Sequence, residues 1–393
     1  MAFSTENTGK EELLRWAKDK GVLWNGISLT EIPGGGIGVV AQSKLEEEET
    51  ILTVPIDTIR SLHTVPKDIS QRLPRDMSIH GLLAADLALD KSSELAPWKK
   101  VLPNLETFEA GTPFMWHKEL QHLLPKVAGD LVNKQQQRFQ REWGSISAAF
   151  PELSREQFLH AWFVINTRTF YYETPEMEKY PEDDRLALLP VADLFNHADT
   201  GCKVSFSEEG YEIYTDRAYE PGEEVYISYG SHSNDFLLAE YGFVLAANEW
   251  DRVCLDEVIL PRLDDNQKAQ LEERKVLAHF VLNDDQSVCD NTRMVLSLLC
   301  STEAQWWTYL DAGHDDLSDR QREVDTLLTH LLEAFLDVTI KTLEKIGKLR
   351  VGGEVQRELA RRRWEQIHAM VGKTIEHLQV QPYDTVMETG NSL

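Results

Sequence analysis

Residues 190–230 read PVADLFNHADTGCKVSFSEEGYEIYTDRAYEPGEEVYISYG. Alternation in Val204-Ser205-Phe206 and Tyr211-Glu212-Ile213-Tyr214 predicts antiparallel strands, because residues two apart share one face of a sheet. Glu209-Gly210 and Pro221-Gly222 supply turns between such strands. The run GEEVYISYG (222–230) reads as a further strand ending in Tyr-Gly. Ahead of these lies Asp193-x-x-Asn196-His197. Taken singly, His197 reads as a satisfied core histidine and Tyr229 as an ordinary strand aromatic.

Upstream, GIGVVA (36–41) and TILTVP (50–55) read as strands flanking the polar turn QSKLEEEE (42–49). Between about 78 and 170 the apolar period becomes helical. Ile79, Leu82, Leu83, Asp86 and Leu87 fit one helical face, and Leu120, Leu123 and Leu124 another. Ser154-x-x-Gln157 has the form of a capping box opening a helix through Phe158, Ala161, Trp162 and Ile165. Trp98, Trp116, Trp143 and Trp162 read as core. Beyond about Asp256 helices continue. Ser318-x-x-Gln321 caps a segment striped by Val324, Leu327, Leu328, Leu331, Leu332 and Phe335. Gly347, Gly352 and Gly353 break it, Arg361-Arg362-Arg363 reads as a solvated face, and the last dozen residues as a frayed end. The class is α+β. A β-rich core is assembled from 20–77 and 161–250, with a helical insert (78–160) and an all-α domain (251–393) behind it.

A chain of 393 residues is long enough for two or three packed units. Its formal net charge of −26 repels nucleic acid and favours encounter with a basic partner. Cys202, Cys254, Cys289 and Cys300 form no close pair, which argues against a zinc site or a disulfide framework. No apolar run approaches the ~18 residues of a membrane span. With no signal pattern at the N-terminus, a cytoplasmic or nuclear monomer is expected. His117 and His122 are spaced i, i+5 and diverge on a helix, so a metal shared with His197 is not expected. Gly36-x-Gly38-x-x-Ala41 matches a loose dinucleotide fingerprint, but β-branched Val39 and Val40 follow instead of a helix N-terminus. What the glycines do offer is backbone that a ligand can approach closely.

Four segments in order, GIGVVA, NTRTF (166–170), PVADLFNH (190–197) and GEEVYISYG, followed by LLAEYGF (237–243), resemble the SET methyltransferases. The likeness is to the class typified by Rubisco large-subunit lysine methyltransferase, and it spans nearly the whole chain. It implies a SET core split by a helical insert and followed by a helical substrate-binding domain. It also implies S-adenosyl-L-methionine as cofactor and methyl transfer to a lysine of a non-histone protein. By position, Gly36, Ile37 and Gly38 receive the amino-acid end of the cofactor, and Asn196 and His197 hold it, with Asp193 beside them. Arg168 and Phe170 shape the cofactor and lysine pocket. Tyr229 is the catalytic tyrosine, Tyr241 completes the lysine channel and Phe243 packs on the adenine. The resemblance also admits a histidine-directed enzyme. One departure concerns the cofactor: the class often carries an acid two positions before the Ile37 equivalent, where this chain has Gly35. Glu31 is the acid considered as its substitute, and a non-catalytic SET-scaffold binding protein is the alternative that Gly35 raises.

Overall fold

A computed structural model of the chain describes residues 5–207, 210–302, 304–306 and 321–380. Glu209, Ser318 and the terminal dozen, all named above, lie outside them. The chain divides into two compact units, one of residues up to 116, 130–232 and 236–245, the other of 117–129, 233–235 and 246 onward.

The first unit holds the short strands. β1 (Leu23–Trp24), β2 (Ile27–Ile32), β3 (Gly36–Ala41) and β4 (Thr50–Pro55) come before its helices. Helix α1 (Ile79–Leu89), helix α2 (Lys126–Ala149, from Asp130 onward in this unit) and helix α3 (Arg155–Arg168) follow. After them come β5 (Thr169–Tyr171), β6 (Leu186–Leu188), β7 (His197–Ser207), β8 (Gly210–Tyr214) and helix α4 (Asn234–Tyr241, from Phe236 onward in this unit). An antiparallel sheet runs in the order β1-β4-β8-β7, while β2 pairs with β3 and β5 with β6. In the sheet Tyr211 stands opposite both Val54 and Phe206. The expected antiparallel strands and the Pro221-Gly222 turn are present, burial alternates along Tyr211-Glu212-Ile213-Tyr214 but not along the exposed Val204-Ser205-Phe206, and Gly222 takes φ +92°.

Two expectations for this unit need revision. GEEVYISYG is not a continuous strand, because its backbone is shared between two partners. The Val225 N–H donates to the Val39 carbonyl, whereas the Ile227 N–H donates to the Asn196 carbonyl. α1 is not one-faced, since every residue from Ile79 to Leu87 is buried. It begins where it does because Ser78 accepts from the Gly81 N–H and the Asp184 carboxylate accepts from Ile79 and His80. Insert and strands share a core. Phe114, Phe139, Trp162 and Phe163 pack with ring centroids 5.2–5.8 Å apart in the same core as the strands. The Ser154–Gln157 capping box is formed, with both reciprocal hydrogen bonds.

In the second unit helix α5 (Gln321–Lys348) buries Val324, Leu328, Leu331, Leu332 and Phe335. It is followed by helix α6 (Glu354–Val380), after a break at Gly352, φ +77°. Gly347 lies inside α5 and does not end it. Residues 120–124 make no long helix, since the turn Lys118–Gln121 stops short of Pro125. A small antiparallel pair, Arg252–Cys254 with Val281–Asn283, interrupts the helical texture. The basic triplet is not wholly solvated: Arg363 is 0% exposed and pairs with Asp235 at 2.6 Å and Asp251 at 2.7 Å. Burial and two carboxylates together define that position, which charge pattern alone does not reveal.

Candidate active site

The loop between β6 and β7 turns sharply. Val191 is buried at φ +80°, a conformation that β-branched residues rarely adopt. It leads into a short turn, Ala192–Leu194, whose Asp193 side chain is 0% exposed. The Asp193 carboxylate accepts from the Trp98 indole N–H at 3.1 and 3.2 Å and from Arg168 at 3.2 Å. Arg168 also donates to the Asp193 carbonyl at 2.8 Å. Burial raises the Asp193 carboxyl, opposed by the Arg168 charge and the indole hydrogen bond. Sequence reading groups Asp193 with the cofactor-holding residues Asn196 and His197. In the structure its carboxylate is enclosed by Trp98 and Arg168, so it braces the loop from behind.

From this brace the chain reaches Asn196 and His197. The Tyr229 N–H donates to His197 Nδ1 at 3.0 Å, and the two rings stack with centroids 4.9 Å apart. An Nδ1 that accepts leaves the ring proton on Nε2, and burial lowers the imidazole to about 4, so His197 is neutral. The Tyr229 hydroxyl donates to the Phe195 carbonyl at 2.7 Å, while burial pushes the phenol up to about 12. Residues thirty-two and thirty-four apart in sequence are thereby joined at both ends of one tyrosine.

Across from this loop lies the β2–β3 tip. Gly36 has φ +69° and open space where a Cβ would stand. A Cβ on Gly38 would meet Ile32 at 2.6 Å, the Asn196 amide at 2.8 Å and the Glu224 carboxylate at 2.9 Å. The glycines are thus required by a close approach of side chains as well as by backbone conformation. Asn196 Nδ2 donates to Glu224 Oε1 at 2.8 Å, and the Tyr226 hydroxyl donates to Oε2 at 2.7 Å. Glu31, the sequence candidate for the missing acid, is exposed and paired with Lys10 at 3.3 Å.

Rings line the next side. Tyr229 and Tyr241 lie 5.1 Å apart, Tyr241 and Phe243 6.2 Å, and His197 and Phe243 6.1 Å. Burial raises the Tyr241 phenol. Phe170 belongs to a neighbouring ring group. Its ring partner is Tyr211, at 5.3 Å, within a group that includes Phe206 and Tyr172. Asn166, two residues before Arg168 on α3, donates to the Glu240 carbonyl at 3.1 Å and carboxylate at 3.0 Å. One helical turn therefore holds both the Asp193 loop and the segment ending in Tyr241. Trp98 reads from sequence only as core, and Glu224 and Asn166 carry no assigned role there. Their partners lie 95, 28 and 74 residues away, and no local pattern signals such contacts.

Residues 36–230 match the family described as SET domain. These residues are a SET domain. Over 287 residues the chain is 28% identical to SET domain-containing protein 4 of Homo sapiens, covering 67% of this chain and 64% of that protein. It is 25% identical over 253 residues to ribosomal lysine N-methyltransferase set11 of Schizosaccharomyces pombe, covering 63% and 65% respectively. The chain thus spans just under two thirds of the length of these relatives. The structure of Rubisco LSMT bound to sinefungin and monomethyllysine superposes with a TM-score of 0.64 at 17% identity, covering 95% of this chain and 94% of that one. At that identity the likeness establishes the fold, a SET domain with a helical insert and a helical region after it. Among the described residues no group of three or more His, Cys, Asp or Glu side chains is placed to hold a metal, and no helix is long and apolar enough to cross a membrane.

Proposed function

We propose that the chain is an S-adenosyl-L-methionine-dependent protein-lysine N-methyltransferase acting on a non-histone protein. The observation that carries this reading is the meeting of the Asn196–His197 loop with Tyr229, which bonds to His197 and to the Phe195 carbonyl. The glycine tip fits the amino-acid end of the cofactor, because Gly36 leaves its backbone uncovered and Gly38 lets the Asn196 amide come close. Asn196 and His197 would hold the cofactor, with Phe243 packed on its adenine, and Arg168 and Asp193 would keep their loop in place. When bound, S-adenosylmethionine supplies a methyl group on a sulfonium, which becomes a neutral thioether as the new C–N bond forms.

The chain's residues handle the amine. Free lysine has a pKa of about 10.4, and only the neutral form has a lone pair to donate. Half-buried Tyr229 and Tyr241 disfavour the ammonium by desolvation, so its proton leaves to water before transfer. Tyr229 is not the base, because its own phenol is pushed up to about 12. Its proton is committed to the Phe195 carbonyl, so its oxygen serves as a fixed acceptor that orients the amine. The name of the fission-yeast relative, a ribosomal lysine N-methyltransferase, and the net charge of −26 support a basic protein substrate. The test is incubation of the full chain with methyl-labelled S-adenosylmethionine and a fractionated proteome. Label recovered as methyl-lysine is expected. Label recovered as methyl-histidine, or no protein-bound label, would overturn the reading.

A further inference from the structure

The Glu224 carboxylate stands at the glycine tip without a cation. It is half-buried, both its oxygens accept from neutral donors (Asn196 Nδ2 and the Tyr226 hydroxyl), and no Lys, Arg or His pairs with it among the described residues. Such a charge lacks the compensation that partly buried carboxylates ordinarily find. Its position is fixed from the backbone, since Val40 and Glu224 form an antiparallel bridge and the Val225 N–H donates to the Val39 carbonyl. The carboxylate also sets the Asn196 amide. A carboxylate that only accepts forces Nδ2 toward itself, leaving Oδ1 as an acceptor for something else. Beside both lies the uncovered backbone of Gly36.

We propose that Glu224 and the Asn196 Oδ1 it orients form a binding site for the ammonium of a ligand's α-amino-acid end, with Glu224 supplying the anionic charge that Gly35 does not. This rests on the methyltransferase reading and names the residue that positions its cofactor at that end. Glu31 cannot take the role while its carboxylate is engaged by Lys10 at the surface. Tyr226, whose hydroxyl holds the second oxygen, is a positioning residue behind Glu224.

Calorimetric titration of the full chain with two ligands tests this. S-Adenosylhomocysteine carries the α-amino group, and 5′-methylthioadenosine shares the nucleoside but lacks it. In E224Q the dissociation constant for S-adenosylhomocysteine is expected to rise about 10- to 100-fold, the range for a hydrogen bond to a charged group. That for 5′-methylthioadenosine should stay within about twofold, since the nucleoside keeps its contacts. Unchanged affinity for the first ligand, or an equal loss for both, overturns the proposal. A native chain that binds neither ligand instead removes the methyltransferase reading itself, and this inference with it. Should E224Q not fold, Y226F carries the same comparison, with a smaller selective loss for S-adenosylhomocysteine expected and parity with the native chain overturning the proposal.

Discussion

Asp193 shows how a buried carboxylate is fixed by partners distant in sequence. Its carboxylate is enclosed by the Trp98 indole and Arg168, and the loop it anchors presents Asn196 and His197. Asp193→Ala leaves Arg168 without its counter-charge, though still bonded to the backbone carbonyl, and a buried indole N–H without its acceptor. The expected cost is about 3–5 kcal/mol, read from urea unfolding, because the surviving charge remains largely buried. A loss below about 1 kcal/mol would mean that the brace is replaced by water. At this scale the sequence was informative about identity and silent about partners. Asn196, His197 and Tyr229 were legible because their spacing matches a family pattern, and the structure joins them. Trp98 and Glu224 were not, because a contact across 95 or 28 residues leaves no mark on neighbouring letters.

Among the elements, the β2–β3 tip and the segment 222–230 are mutually dependent. Short apolar runs identified β3 and β4, and alternation identified β7 and β8, where buried Tyr211 and Ile213 alternate with half-buried Glu212 and Tyr214. Such patterning failed for GEEVYISYG, where two partners share one backbone and the ladder is reduced to bridges. It also gave no warning that α1 is buried all round, since a helix enclosed on every side has no polar face to read. Substitution of Gly38 tests the dependence. A methyl group there would sit within 3.0 Å of Ile32, Asn196 and Glu224. Gly38→Ala should cost about 1–3 kcal/mol of stability as the tip is forced open, and it should weaken S-adenosylhomocysteine binding more than 5′-methylthioadenosine binding. Native melting and native affinity for both ligands would show that the tip is not packed as described.

For the whole molecule, two buried histidines contribute to the response to acid, opposed by buried carboxyls such as Asp193 and Asp235 that burial raises. Burial lowers both His80 and His197 to about 4, well below the 6.5 of a free imidazole. At these rings the unfolded chain therefore binds more protons than the native one between those values, and the stability they contribute falls as pH drops through that window. The urea midpoint should decline from pH 7 to 5.5, and His80→Asn should flatten the decline. A His80→Asn variant that declines as steeply as the native chain would mean that the His80 ring is not held neutral. Charge at this scale was only partly legible. The excess of carboxylates is plain from composition. By contrast, Arg363, within a run of three arginines, is buried against Asp235 and Asp251, a location fixed by which face of α6 turns inward. The central claim concerns Tyr229, which ties the Asn196–His197 loop to the aromatic wall. Its most direct test is labelled methyl transfer by the native chain and Tyr229→Phe to the same acceptor, with S-adenosylhomocysteine affinity measured alongside. The account predicts a loss of about 100-fold in transfer rate, the scale of a misplaced reacting group, with cofactor affinity kept within a few-fold. Equal transfer by the two proteins would contradict it.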